Sequence, residues 1–97
     1  MNRQTIIIRL QEKKTELQQL GIEHLRLFGS SARNEARADS DIDLAATFSP
    51  SAHIGFGFVS IAKRLEELLG TPIDLISYPP TNKHIHTTIE REGLDVF

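Results

Sequence analysis

Two aspartates, Asp41 and Asp43, lie two residues apart in a segment that alternates polar and apolar residues. Such alternation is typical of a β-strand, so both carboxylates are expected on one face, while Ile42 and Leu44 pack on the other. Carboxylate oxygens are ligands that Mg²⁺ accepts. The spacing therefore predicts a metal site on one face of a strand.

A Gly29-Ser30 pair stands upstream of these aspartates, directly after the apolar run Leu25–Phe28. The run predicts a strand that enters a tight turn, and the composition of Ser31–Arg37 suits a helix, which places Ser30 at a helix start. Free backbone N–H groups and the positive end of the helix dipole would meet there and favour an anion. A phosphate-binding turn beside a metal-binding strand predicts nucleotide chemistry.

Each of these motifs also has a purely structural interpretation. A Gly-Ser pair is most often a simple turn, and a Ser-Asp-Ile-Asp segment can merely begin a strand. The two motifs together, in this order, are far more specific than either motif alone.

The joint pattern resembles the signature of the minimal nucleotidyltransferases, which are small members of the DNA polymerase beta-like nucleotidyltransferase superfamily. The matching segments are Gly29-Ser30-x-Ala32-Arg33, Ser40-Asp41-Ile42-Asp43-Leu44, Pro72-Ile73-Asp74-Leu75-Ile76 and Ile89-Glu90-Arg91-Glu92-Gly93-Leu94. Together with the family's order of elements, from a first helix to a third strand that carries one more acid, the resemblance covers nearly the whole chain. One difference is Asn34, where many members have Gly. Because Asn is the non-Gly residue that best adopts a left-handed backbone, we expect the turn to be retained.

The resemblance implies an α/β nucleotidyltransferase fold, with a three-stranded mixed sheet flanked by about four helices. It also implies a site in which Asp41, Asp43 and Asp74 bind two Mg²⁺ ions and carry catalysis. Asp74 would accept the proton of the attacking hydroxyl. The nucleotide, ATP, would be held by Gly29, Ser30 and Arg33.

The activity implied by the resemblance is transfer of AMP from ATP to a protein hydroxyl. The family is known for partnering HEPN-domain toxins, whose tyrosine it modifies, so the chain is expected to be the antitoxin of a toxin–antitoxin pair. An alternative is a non-catalytic antitoxin that neutralises its partner by stable binding. Transfer to a small molecule such as an aminoglycoside is a weaker possibility, since relatives of that kind carry a further helical domain.

Composition predicts one globular domain over residues 1–97, because 39% of the residues are apolar and 25% are charged. A net charge of −2 disfavours a protein that coats nucleic acid. The absence of cysteine excludes disulfides and thiolate chemistry. No apolar run approaches the ~20 residues of a membrane span, so we expect a cytoplasmic protein without nucleic-acid or membrane partners.

Periodicity and end signals predict alternating helices and strands. The expected elements are a helix over 3–20, strands His24–Phe28, Ile42–Phe48 and Ile73–Ser77, helices Ser31–Arg37 and Phe56–Leu69, and a last helix from a Thr81 or Asn82 cap to about Arg91.

Several further residues carry open alternatives. Arg33 could bind the triphosphate or the substrate, or lie solvated. Glu35 and Arg37 could contribute to the site or form an ordinary surface. Phe56 could stack on a base or on a partner surface, or pack in the core. The His84-Ile85-His86 sequence does not indicate zinc, because residues two apart on a helix point about 200° apart. His24 and His53 are interpreted as solvated side chains.

Overall fold

A computed structural model describes residues 1–37, 40–50 and 57–97. Its elements are α1 (Arg3–Glu12), α2 (Lys14–Gln19), β1 (Ile22–Phe28), β2 (Ile42–Phe48), α3 (Gly57–Leu69), β3 (Ile73–Ser77), α4 (Lys83–Glu92) and β4 (Leu94–Asp95). The four strands form one mixed sheet in the order β3-β2-β1-β4. Only the β2–β3 pair is parallel, and α3 supplies the crossover that a parallel pair needs.

One face of the sheet is mostly apolar and lies under the first three helices. We call it the covered face. Its strand residues alternate with those of the other face, and they pack against one stripe of α1, α2 and α3, as expected for amphipathic helices. The covered face consists of Leu25, Leu27, Ile42, Leu44, Ala46, Ile73, Leu75 and Leu94.

The opposite face carries the acidic residues of the strands, and we call it the acidic face. Helix α4 covers part of it, where Ile85 and Ile89 pack on Phe28 and Ala45. The acidic face comprises Arg26, Phe28, Asp43, Ala45, Thr47, Asp74, Ile76 and Asp95. The sheet therefore has helices on both sides, and the covered face carries the larger buried cluster of the two.

Most predicted elements are confirmed, and two boundaries move slightly. β2 and β3 have the predicted ends, and α4 begins at an Asn82 cap, whose side chain accepts a hydrogen bond from Ile85 N at 3.1 Å. β1 begins at Ile22 rather than His24. The predicted first helix is interrupted at Lys13, where the flanking residues 11–15 are exposed and no core contact holds the helix continuous.

The helix predicted over Ser31–Arg37 is wrong, because residues 29–34 form tight turns instead. Asn34 has φ of 59°, a left-handed conformation that ends the helical path after one turn. The sheet has four strands rather than three, since the two-residue β4 pairs with Arg26 and Leu27 of β1. His53 and Phe56 lie outside the described residues, and no helix within those residues is long and apolar enough to cross a membrane.

Candidate active site

The parallel register of β2 and β3 brings two of the predicted acids together. Asp43 pairs with Asp74 across the strands, which lie about 4.8 Å apart in such a sheet. Asp43 is half-buried, whereas Asp74 is exposed. Asp41 precedes the first residue of β2 and is also exposed. The acidic face thus carries a carboxylate pair at the end of the sheet where β2 begins.

The electrostatics of Asp43 reflect this crowding. Burial raises the pKa of the Asp43 carboxyl, and the charges of Asp74 and Asp41 raise it further, while Arg33 lowers it. Each of these carboxylates therefore makes ionisation of Asp43 less favourable. A cation bound between the acids would offset the repulsion, so the donor set suits a positively charged ligand.

Gly29 lies directly against the carboxyl group of Asp43. Its φ of 74° belongs to the left-handed region that favours glycine. A Cβ atom built on Gly29 would collide with Oδ2 of Asp43 and stand 3.1 Å from its Cγ. Only glycine fits at this position, and its close approach fixes the turn beside the acidic pair.

The turn after Gly29 is held by its own backbone. Ala32 N and Arg33 N both donate to Gly29 O, at 3.1 and 3.2 Å, and Glu35 N donates to Ser30 O at 2.8 Å. The guanidinium of Arg3 secures the turn from outside through Ala32 O at 2.9 Å. Because no helix follows, an anion here would meet backbone and hydroxyl groups, without the helix dipole that the sequence predicted.

Arg33 extends from this turn toward the end of α4. Its Nη1 lies 2.8 Å from Glu92 Oε2, and its Nε lies 3.1 Å from Glu35 Oε2. The hydrogen bond to Glu92, and to a smaller extent the one to Glu35, raises the pKa of Arg33. Arg37 is exposed, and its backbone N–H donates to Ser40 Oγ at 3.1 Å. Of the two arginines, Arg33 is the one whose charge lowers the pKa of Asp43.

Comparison with known proteins identifies the family of this chain. The family model described as Polymerase beta, Nucleotidyltransferase matches residues 6–97. The chain belongs to this nucleotidyltransferase family. It is 32% identical to the protein adenylyltransferase MntA of Thermococcus cleftensis over 80 residues, which cover 82% of this chain and 80% of that protein.

Two solved structures have the same fold. One, provisionally named a minimal nucleotidyltransferase, is 30% identical, has a TM-score of 0.81 and covers 97% of this chain and 95% of its own. The other is the MNT antitoxin complexed with a tri-AMPylated HEPN toxin of Shewanella oneidensis, with 17% identity, a TM-score of 0.65 and coverage of 98% of this chain and 71% of its own. The expected fold class, the resemblance to minimal nucleotidyltransferases and the enzyme class are confirmed.

The described part of this nucleotidyltransferase does not present a complete metal cage. Among the described residues, no group of three or more His, Asp or Glu side chains is placed to hold one ion. Mg²⁺ does not require such a cage, because it is commonly bound by one or two carboxylates together with water and substrate phosphates. The Asp43–Asp74 pair fits that mode of binding.

Glu92, the ion-pair partner of Arg33, is a residue that sequence reasoning did not single out. It lies 59 positions after Arg33 along the chain, and no local pattern predicts a pair so distant. The segment Ile89–Leu94, which resembles the usual end of the family, contains Glu92, but this resemblance gives Glu92 no specific role.

A second polar cluster lies on the acidic face, where Tyr78 follows β3. The Tyr78 hydroxyl donates to Glu90 and lies 3.0 Å from Nε2 of His86, while the Arg26 guanidinium stands 4.9 Å from the centre of the Tyr78 ring. These contacts join α4 to the sheet. His86 thus lies against Tyr78 and Glu90, and it takes no part in the acidic pair.

Proposed function

We propose that this nucleotidyltransferase transfers AMP from ATP to a tyrosine hydroxyl of a HEPN-domain toxin and thereby acts as its antitoxin. Sequence similarity to a protein adenylyltransferase and structural similarity to an antitoxin bound to an AMPylated HEPN toxin support this proposal. The single observation that carries it is the Asp43–Asp74 pair directly beside Gly29. We further propose a cytoplasmic location and no nucleic-acid or membrane partner.

The proposed chemistry is a displacement at the α-phosphorus of ATP. The oxygen of the acceptor hydroxyl forms a bond to phosphorus, the bond to the bridging oxygen breaks, and pyrophosphate leaves. Asp74 accepts the hydroxyl proton. When bound, Mg²⁺ supplies positive charge that stabilises the attacking and leaving oxygens.

We propose the following roles for the other side chains of the site. Asp43 and Asp74 would hold the metal as a pair, and the family resemblance adds Asp41 as a further ligand. Burial, and then charge repulsion from Asp74 and Asp41, raise the pKa of Asp43, and a bound cation would relieve that repulsion. Gly29 and Ser30 would bind the β- and γ-phosphates through backbone N–H groups and the Ser30 hydroxyl. Arg33 would donate to the same phosphates, since a guanidinium has five N–H donors and only two are used by Glu92 and Glu35.

The proposal is tested by intact-mass analysis of a HEPN-domain protein from the same source after incubation with this chain, ATP and Mg²⁺. We expect a gain of one or more AMP units, and no gain with the Asp41→Asn/Asp43→Asn variant. A tyrosine-to-phenylalanine change in the toxin at the modified position should also prevent the gain. A stable complex without any mass change would instead support the non-catalytic antitoxin.

A further inference from the structure

The end of α4 holds one carboxylate at a fixed position above the turn. Glu92 is the last residue of α4, and Gly93 then turns the chain into β4. Gly93 N donates to Ile89 O at 2.7 Å, and a Cβ on Gly93 would collide with that same carbonyl oxygen. Ile89 and Val96, on either side of the bend, are 1% and 2% exposed. The backbone of Glu92 is therefore anchored from both directions.

The two carboxylates that bind Arg33 differ in their surroundings. The Glu92 side chain is 21% exposed, whereas that of Glu35 is 64% exposed. Glu35 lies only two residues after Arg33 in the same segment, while Glu92 belongs to a separate, anchored element. The hydrogen bond from Arg33 lowers the pKa of the Glu92 carboxyl, so this pair is charged at neutral pH. Glu92 is thus the partner that fixes Arg33 relative to the sheet.

We propose that Glu92 is a positioning residue, which holds the Arg33 guanidinium beside the Asp43–Asp74 pair so that it is oriented for the triphosphate before ATP binds. This inference rests on the proposed function. Glu92 engages Nη1 and Glu35 engages Nε, which leaves N–H donors of the guanidinium for phosphate oxygens. A side chain ordered in advance loses less conformational entropy on binding, so the expected effect is on ATP affinity.

The opposite role for Glu92 would be a competitor that keeps Arg33 away from phosphate. The two roles predict opposite changes in ATP affinity when Glu92 is removed. If Glu92 positions Arg33, its removal weakens ATP binding. If Glu92 competes with phosphate, its removal strengthens ATP binding.

The test compares Glu92→Ala, Glu92→Gln and Arg33→Ala with the wild type and with Glu67→Ala. Glu67 is an exposed glutamate of α3 with a 3.9 Å contact to Arg64, and α3 packs on the covered face, so it is a matched control. Steady-state kinetics with the toxin gives KM for ATP and kcat, and calorimetry with Mg²⁺ and the analogue AMP-PNP measures binding alone. Thermal unfolding of each variant identifies loss of fold.

We expect Glu92→Ala to raise KM and the AMP-PNP dissociation constant up to about tenfold, the scale of the conformational entropy lost when one long side chain is ordered on binding, with kcat changed much less. Glu92→Gln, which keeps an acceptor oxygen, should recover most of the affinity, and Glu92→Ala should add little in an Arg33→Ala background. Unchanged or tighter binding by Glu92→Ala, or a fall in kcat alone, would overturn the inference while leaving the proposed function intact. A wild-type protein that neither binds AMP-PNP nor transfers AMP would overturn the proposed function and the inference together.

Discussion

The two faces of the sheet are built from the same strands but differ in how deeply their side chains are buried. On the covered face, Leu25, Leu27 and Leu44 are completely buried beneath three helices. On the acidic face, α4 covers Phe28 and Ala45, while Asp74 remains exposed at the end of the sheet. Alternation along one strand therefore places residues for stability and residues for chemistry next to each other in sequence.

This difference has an energetic consequence. Burial of the leucines removes apolar surface from water and stabilises the fold. The raised pKa of Asp43 shows that its ionised form is disfavoured in the folded protein, because it is partly buried and lies near two other carboxylates. The covered face therefore stabilises the fold, whereas the crowded carboxylates of the acidic face reduce its stability when Asp43 is ionised.

The largest expected effect on activity comes from the acidic face. Asp41→Asn combined with Asp43→Asn should reduce AMP transfer by about 10³-fold or more, since groups that stabilise transition-state charge have effects of that scale. The fold should remain intact by circular dichroism. Asp95→Asn, which removes an exposed acid of the same face that pairs with Arg26, is the control and should transfer AMP normally. Normal transfer by the double variant would refute the assignment of the site.

The largest expected effect on stability comes from the covered face. Leu44→Ala should lower the free energy of unfolding by about 2–5 kcal/mol, because it leaves a cavity in a fully packed core. Chemical denaturation measures the change. A loss below about 1 kcal/mol would show that the covered face is not the main source of stability.

Gly29 is constrained both by its positive φ and by its close contact with Asp43, whereas Gly70 has only the positive φ. A comparison of the two glycines therefore separates the two effects. Gly29→Ala and Gly70→Ala both place alanine at positive φ, which costs roughly 1–2 kcal/mol. A Cβ meets nothing within 4 Å at Gly70, whereas at Gly29 it meets Asp43. We therefore expect similar or greater destabilisation at Gly29 and loss of AMP transfer only there. Equal activity of the two variants would argue against close packing of the turn on Asp43.

The smallest expected effect is a pH-dependent gain in stability from Asp43→Asn. Because the pKa of Asp43 is raised in the folded protein, the folded state holds the proton longer than the unfolded state. Ionisation of Asp43 therefore reduces stability as pH rises from about 3.9, its unfolded value, through the folded pKa. Asp43→Asn should match the wild type below that window and melt a few degrees higher above it. A variant that melts lower at neutral pH would contradict this account.

The sequence predicted the strands that carry the acids because their alternation is local. The boundaries of β2 and β3, and the α4 cap at Asn82, all follow from signals within a few residues. The short helix after Ser30 was predicted incorrectly because one left-handed residue, Asn34, stops it. β4 was missed since two residues carry no periodicity, and the Arg33–Glu92 pair was missed because it joins residues far apart in the chain.

We propose that the acidic face, at Asp43 and Asp74, binds the metal and the nucleotide. The most direct test is a crystal structure with AMP-PNP and Mn²⁺ in place of Mg²⁺, in which anomalous scattering locates the ion. The account predicts a manganese peak within bonding distance of the Asp43 carboxylate, with the triphosphate against Gly29 and Ser30. Bound nucleotide with the metal elsewhere, or neither ligand on this face, would contradict it.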